Sequence, residues 1–237
     1  MKKLIVALFL IVVLCGGVAS ADEEIKSFRY LRPAVSKFQR ETEIVIQKRA
    51  SATSITSVTN RVQTRLTLSA SYDSDGQLRE AEVTLNRNGE RQGAAVRSAK
   101  GKANVTREDG RQFEFEIPAD VIVTSAPDWT DAFSLMRRYD VAAGGEQEFA
   151  GLWIHPTRDP LRLTFRVQHL GVDAVQQQGA AHQLDRLLIT LRGGSQYIGW
   201  RDKQHRLIRL MSASSTEPAI VLEGWEVVTA HLRTESK

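Results

Sequence analysis

Five histidines, a scatter of aspartates and one cysteine are the residues of this chain with the most reactive side chains. His155, His169, His182, His205 and His231 lie far apart, and no two stand at helical i, i+4 spacing. The densest acid–base grouping is Asp128, Asp131, Asp140, His155 and Asp159, since carboxylate and imidazole together move protons near neutral pH. No nucleophile is marked beside them, and Asp128 and Asp131 also read as helix-start residues. His182 and Asp185 have a loosely metal-like spacing, but residues three apart in a strand point to opposite faces. The chain carries no GxSxG elbow, HExxH helix, P-loop, Ser-x-x-Lys or dinucleotide glycine motif. No catalytic residue, metal site or cofactor is expected. A hydrolase built on the Asp/His group is the weakest reading.

The aromatic residues point to binding instead. Nine of the sixteen lie between Trp129 and Trp225, and these include all four tryptophans. A helix bearing Trp129, Phe133 and Met136, laid against a sheet bearing Trp153, Phe165, Tyr197, Trp200 and Trp225, would line an apolar cavity. The plainer reading of such a stripe is packed core. Both readings need the same architecture behind them.

That architecture is mainly β. Period-two alternation dominates the chain, most clearly from Val62 to Tyr72, where Val62, Leu66, Leu68, Ala70 and Tyr72 share one face. Such a strand has one wet and one dry face, as in antiparallel sheets. Further strands are expected at Thr42–Lys48, Leu78–Asn86, Arg91–Ser98, Ala103–Glu108 and Arg111–Ile117. After the helix they resume at Gln147–Ile154, Leu161–Leu170, Gln183–Arg192, Gln196–Trp200, Arg206–Met211 and Ile220–Leu232. Asn88-Gly89 is the strongest hairpin signal among the turns. From Asp128 to Tyr139 the period changes to a helical stripe. Pro127 and Asp128 precede it, Asp131 lies in its first turn and Arg137 and Arg138 in its last, where cations suit the helix dipole. The expected fold is one large curved antiparallel sheet or half-barrel of about eleven strands, with one inserted helix near 128–139. No linker or repeat divides it, so residues 22–237 read as a single β-rich domain.

Residues 1–21 read as a secretory signal peptide. Lys2 and Lys3 form a basic start, Leu4 to Cys15 is apolar, and Ala19-Ser20-Ala21 supplies the small residues before a cleavage at Asp22. The run is shorter than the roughly 20 apolar residues of a membrane span, so none is expected in the mature chain. Cleavage removes the only cysteine, which excludes disulfides and thiol chemistry. It also leaves 30 basic residues against 28 acidic ones, spread along the chain. A nucleic-acid binder gathers its charge into a patch, so nucleic acid is not an expected partner.

The hairpin series Val62–Ile117, the helix Asp128–Tyr139 and the closing strands Gln147–Leu232 together resemble the lipoprotein-carrier-like half-barrels and related exported bacterial β domains. In that class a long antiparallel sheet wraps an inserted helix, and some members carry acyl chains. The resemblance implies an exported protein, periplasmic or extracellular, that binds an apolar or amphipathic ligand in the concavity of its sheet. The alternative is an envelope interaction or assembly factor with a filled core and no small ligand.

Overall fold

The structure, a computed structural model, describes residues 23–33, 38–125, 129–191, 193–215 and 217–229. The expected signal peptide, Asp128 and His231 lie outside these. The N-terminal series of strands is β1 (Glu24–Pro33), β2 (Phe38–Arg49), β3 (Ala52–Arg61), β4 (Thr64–Asp73), β5 (Leu78–Arg87), β6 (Glu90–Ala99), β7 (Lys102–Arg107) and β8 (Gln112–Glu116). A short β9 (Ile122–Thr124) precedes helix α1 (Thr130–Arg138). Then follow β10 (Glu146–His155), β11 (Arg158–Gln177), β12 (Ala180–Leu191), β13 (Gln196–Arg201), β14 (Leu207–Ser212), β15 (Ile220–Leu222) and a four-residue α2 (Glu226–Thr229).

All fifteen strands join one sheet in the order β8 to β1, then β15 back to β9. Every ladder is antiparallel except β9 with β10. The mainly β class agrees with expectation, but the expected curved sheet or half-barrel needs correcting: the strands form one open, mostly antiparallel sheet that is neither closed nor strongly curved. The strands β8 and β9 remain its two edges. The count exceeds about eleven because three strands escape the alternation rule. In β1 only Phe28, Tyr30 and Leu31 are buried, while Ile25 faces water. The strand β3 is mostly Ala, Thr and Ser, and β9 has three residues.

Two apolar clusters hold the fold. The first packs α1, through Ala132, Phe133, Leu135 and Met136, onto Phe28, Ile44, Phe165, Ile189 and Leu210 of the sheet. The second joins Leu66, Leu68, Val83 and Val96 of the β4–β6 hairpins to Val123, Leu152 and Ile154. Ile122 belongs to the first cluster and its neighbour Val123 to the second. The strand β9 is therefore buried on both faces, between the helix and the β4–β6 arm.

Several local expectations need correcting. Val62 is 90% exposed, because it sits with Gln63 (φ 57°) in the turn before β4 and not on the dry face. Leu66, Leu68, Ala70 and Tyr72 do lie on that face, all buried. Asn88 (φ 54°) and Gly89 (φ 88°) form the expected two-residue hairpin, with positive φ at both central positions. The strand expected at Leu161–Leu170 runs on to Gln177, because a register shift at His169/Gly171 lets it bend without ending. The segment Ile220–Leu232 is no single strand: β15 ends at Leu222, and Gly224 (φ 89°) turns the chain into α2. Helix α1 starts at Thr130, one residue after Trp129 in a left-handed conformation (φ 60°) that a bulky side chain rarely adopts. Asp131 occupies its first turn and Arg137 and Arg138 its last, as the charge pattern predicts.

Candidate functional site

Seven of the eight aromatic and methionine positions belong to one apolar cluster or pack against it, and Trp153 lies outside it. Phe133, Met136, Phe165 and Trp200 are fully buried and Trp225 nearly so. Phe133 meets Phe28 of β1 at 5.3 Å between ring centroids. Met136 covers Gly199 so closely that an added Cβ there would lie 2.6 Å from the methionine methyl. Phe165 bears on Gly151 in the same manner. Trp200 donates its indole N–H to Asp173 at 2.6 Å, with Arg209 over the ring. Trp129 and Tyr197, both half-buried, meet edge to face at 6.1 Å. Trp153 stands apart and stacks on His155 at 5.5 Å. Phe133, Met136 and their neighbours thus fill the space between helix and sheet.

A large opening lies just outside that packing. It is a cleft of about 1020 Å³ between β1, the last turn of α1, the β11–β12 hairpin and the turn joining β13 to β14. Phe28, Ala174 and Ala181 give it an apolar wall, while Lys26, Arg137, Lys203 and Arg206 bring cations to it. Two of the expected binding residues back this wall without entering it. Phe133 lies behind Phe28, with Arg137 5.7 Å over its ring. Trp225 lies behind the lining His182, at 5.1 Å. Asp202 partly offsets the charge. Its carboxylate accepts the amide N–H groups of Gln204 and Arg206 and pairs with the Arg206 guanidinium at 2.6 Å, which fixes the turn.

These cleft residues were not legible as a group. Lys26, Arg137 and Arg206 sit on three elements that only the β1–β15 pairing and the seating of α1 bring together. The faint signal was Phe28-x-Tyr30, an alternation within a start that otherwise reads as polar.

The described Asp/His candidates each have partners outside their group. Asp159 pairs with Arg107 at 3.0 Å and Arg111 at 3.7 Å. Asp140 accepts the Ala142 amide N–H at 2.8 Å. Burial pushes the Asp131 carboxyl above the usual carboxylate range, against the pull of the Ala132 amide. Asp185 faces His169 and Arg201, while His182 turns to Trp225. Among the described residues no group of three or more His, Cys, Asp or Glu side chains is placed to hold a metal ion. None of the described helices is long and apolar enough to cross a membrane.

His155 carries a testable pH dependence. Burial, then the charges of Arg158 and Arg107, holds its ring below the ordinary value near 6.5. The unfolded chain therefore takes up this proton more readily than the folded one. Stability is expected to be lost as pH falls through about 6.5, with the loss complete once pH lies below the folded value. Denaturant melts of the wild type and His155→Gln across this range check it. The variant should lose part of the slope, and identical slopes would refute the assignment.

No protein-family model and no curated protein matches the chain. Solved structures similar to it include a DUF1089-family protein from Pseudomonas aeruginosa, at 16% identity and TM-score 0.47, covering 74% of this chain and 92% of that one. A second is the β-barrel-like protein of domain of unknown function DUF1849 from Brucella abortus, at 8% identity and TM-score 0.49, covering 85% and 95%. Both likenesses are distant, with identities of 16% and 8%.

Proposed function

We propose that this is an exported, non-enzymatic protein that binds an amphipathic, lipid-like ligand in the cleft between β1, α1 and the β11–β12 hairpin. The observation that carries the reading is an apolar wall meeting a cationic rim in one opening of about 1020 Å³. That is the upper end of the size range of small-molecule sites, roughly 300–1,000 Å³. An acyl chain laid along Phe28, Ala174 and Ala181 gains about 25 cal/mol for each Å² of apolar surface it hides. A carboxylate or phosphate head then meets Arg137, whose guanidinium suits such groups through paired N–H donors. The helix face of Phe133 and Met136 supports the wall and does not contact ligand. A lipoprotein-carrier-like role is the finer form of this proposal. Residues 1–21 supply the export signal, with the mature chain starting at Asp22 in the periplasm or outside the cell.

Dansylundecanoic acid titrated into the purified mature chain tests the reading. Probe fluorescence should rise to saturation. Ala181→Trp, which fills the trough, should abolish the rise, and Arg137→Gln should weaken binding about tenfold. A wild type with no probe uptake and a clean apo mass in native mass spectrometry would overturn it. That result favours an envelope assembly factor, which has the open edge of β8 available for strand pairing.

A further inference from the structure

We infer that a second cleft, remote from the first, binds an organic oxyanion: a phosphate ester carrying a short apolar group. Its floor is built by strand register. Thr59, Leu66, Leu85 and Gln92 stand opposite one another across β3, β4, β5 and β6. Two residues along the same strands, Arg61, Thr64, Arg87 and Glu90 form a second row on the same face. The turn from β10 to β11 closes over both rows with His155, Thr157 and Arg158, and the enclosed volume is about 520 Å³. Leu66 and Leu85 make the deep end apolar, while the outer row and the turn carry the charge.

The charges favour an anion. Arg61 is engaged by Glu41, whose nearly buried carboxylate accepts from Nε at 2.9 Å and pairs with Nη2 at 2.8 Å. That leaves Arg87 and Arg158, both exposed, in an opening whose one acidic lining residue is Glu90. The imidazole of His155 is pre-set as a donor. Its Nδ1 accepts the Thr157 amide N–H at 3.1 Å, so the neutral ring carries its proton on Nε2. Trp153, stacked on the ring within 13° of parallel, fixes its plane. The ring is held neutral first by its burial and then by the charges of Arg158 and Arg107. Guanidinium groups, an imidazole N–H and the hydroxyl of Thr64 together form a donor set suited to phosphate oxygens. The ester's alkyl group then falls toward Leu66 and Leu85. None of the residues lining the first cleft lines this one.

Calorimetric titration of the mature chain with inorganic phosphate and with butyl phosphate tests the inference, with the His155 imidazole signals followed by NMR. Butyl phosphate should bind one site per chain, several-fold more tightly than inorganic phosphate, and the His155 signals should move with it. Arg87→Gln combined with Arg158→Gln should weaken both ligands by more than about tenfold, whereas Ala181→Trp in the first cleft should change neither. Leu85→Asn should remove only the advantage of the butyl group. Sedimentation with phosphatidylglycerol vesicles, absent with phosphatidylcholine and lost in the double arginine variant, would identify a lipid headgroup as the source. Solution binding without sedimentation would identify a free ester. No binding of either phosphate by the wild type, or unchanged binding in the double variant, would overturn the inference.

Discussion

Arg201→Met is expected to destabilise the fold by about 3–5 kcal/mol, the usual consequence of removing one partner of a buried charge network. Arg201 is 2% exposed, and its Nε and Nη1 both have partners. It donates to the carbonyls of Met136 and Tyr139 at the C-terminal end of α1, the second at 2.9 Å. Its Nε pairs with Asp185 at 3.2 Å, and the guanidinium lies 5.8 Å over the Tyr139 ring. A cation here offsets the partial negative charge of the helix end and satisfies carbonyls that have no partner within the helix. Methionine of similar length would leave those carbonyls and Asp185 without it. Denaturant unfolding measures the loss, and Arg201→Lys, which keeps the charge but not the fork, should fall between the two. A double-mutant cycle with Asp185→Asn should show strong coupling. A cost for Arg201→Met below about 1 kcal/mol would mean that water enters and replaces the network.

Phe133→Ala should cost about as much, about 3–5 kcal/mol, but for a different reason. The ring is wholly buried, packed on Phe28 and in one cluster with Met136 and Leu210, so its removal leaves a cavity that the fixed sheet cannot close. Because Phe28 forms the wall of the first cleft and rests on Phe133, acyl-probe binding should weaken in the same variant. Met136→Leu, nearly equal in volume, should cost less than about 1.5 kcal/mol and leave probe binding intact. If Phe133→Ala is destabilised but binds the probe as the wild type does, the helix is core alone and does not support the cleft.

The difference between these two positions mirrors what could be read from the sequence. Phe133 is legible because i, i+3 and i+4 spacing with Trp129 and Met136 puts the three on one helical face, and the structure buries Phe133 and Met136 there. The inner face of β4 is legible for the corresponding reason, since alternation over Leu66, Leu68, Ala70 and Tyr72 fits only one strand face. The strand β3 escapes because hydroxyl residues occupy its buried positions. Ser57 and Thr59 are buried, and Thr59 shares a hydrogen bond of 3.0 Å with Thr42, so no apolar period marks the strand. Arg201 escapes because an arginine in a strand ordinarily signals the wet face, and only the seating of α1 gives it buried partners. Both clefts are illegible for a similar reason. Their cations belong to separate segments, and ladder register, which no local pattern encodes, sets them side by side.

The sheet order also constrains how the molecule can be assembled. The strands β1 to β8 and β9 to β15 are largely local meanders, but the two meet where Tyr30 pairs with Leu222 and Leu31 with Val221. The seam thus joins β1 to β15, which is made only after every strand between them. Until Ile220–Leu222 is available, β1 presents an unpaired backbone edge, the kind of template on which chains pair wrongly with one another. Closing so long a loop carries an entropy cost that the local hairpins do not, and folding dominated by such pairings occupies the slow, millisecond-to-second range. A nascent chain of this protein is therefore most vulnerable to aggregation at the middle of its future sheet, and chaperone protection would matter most there.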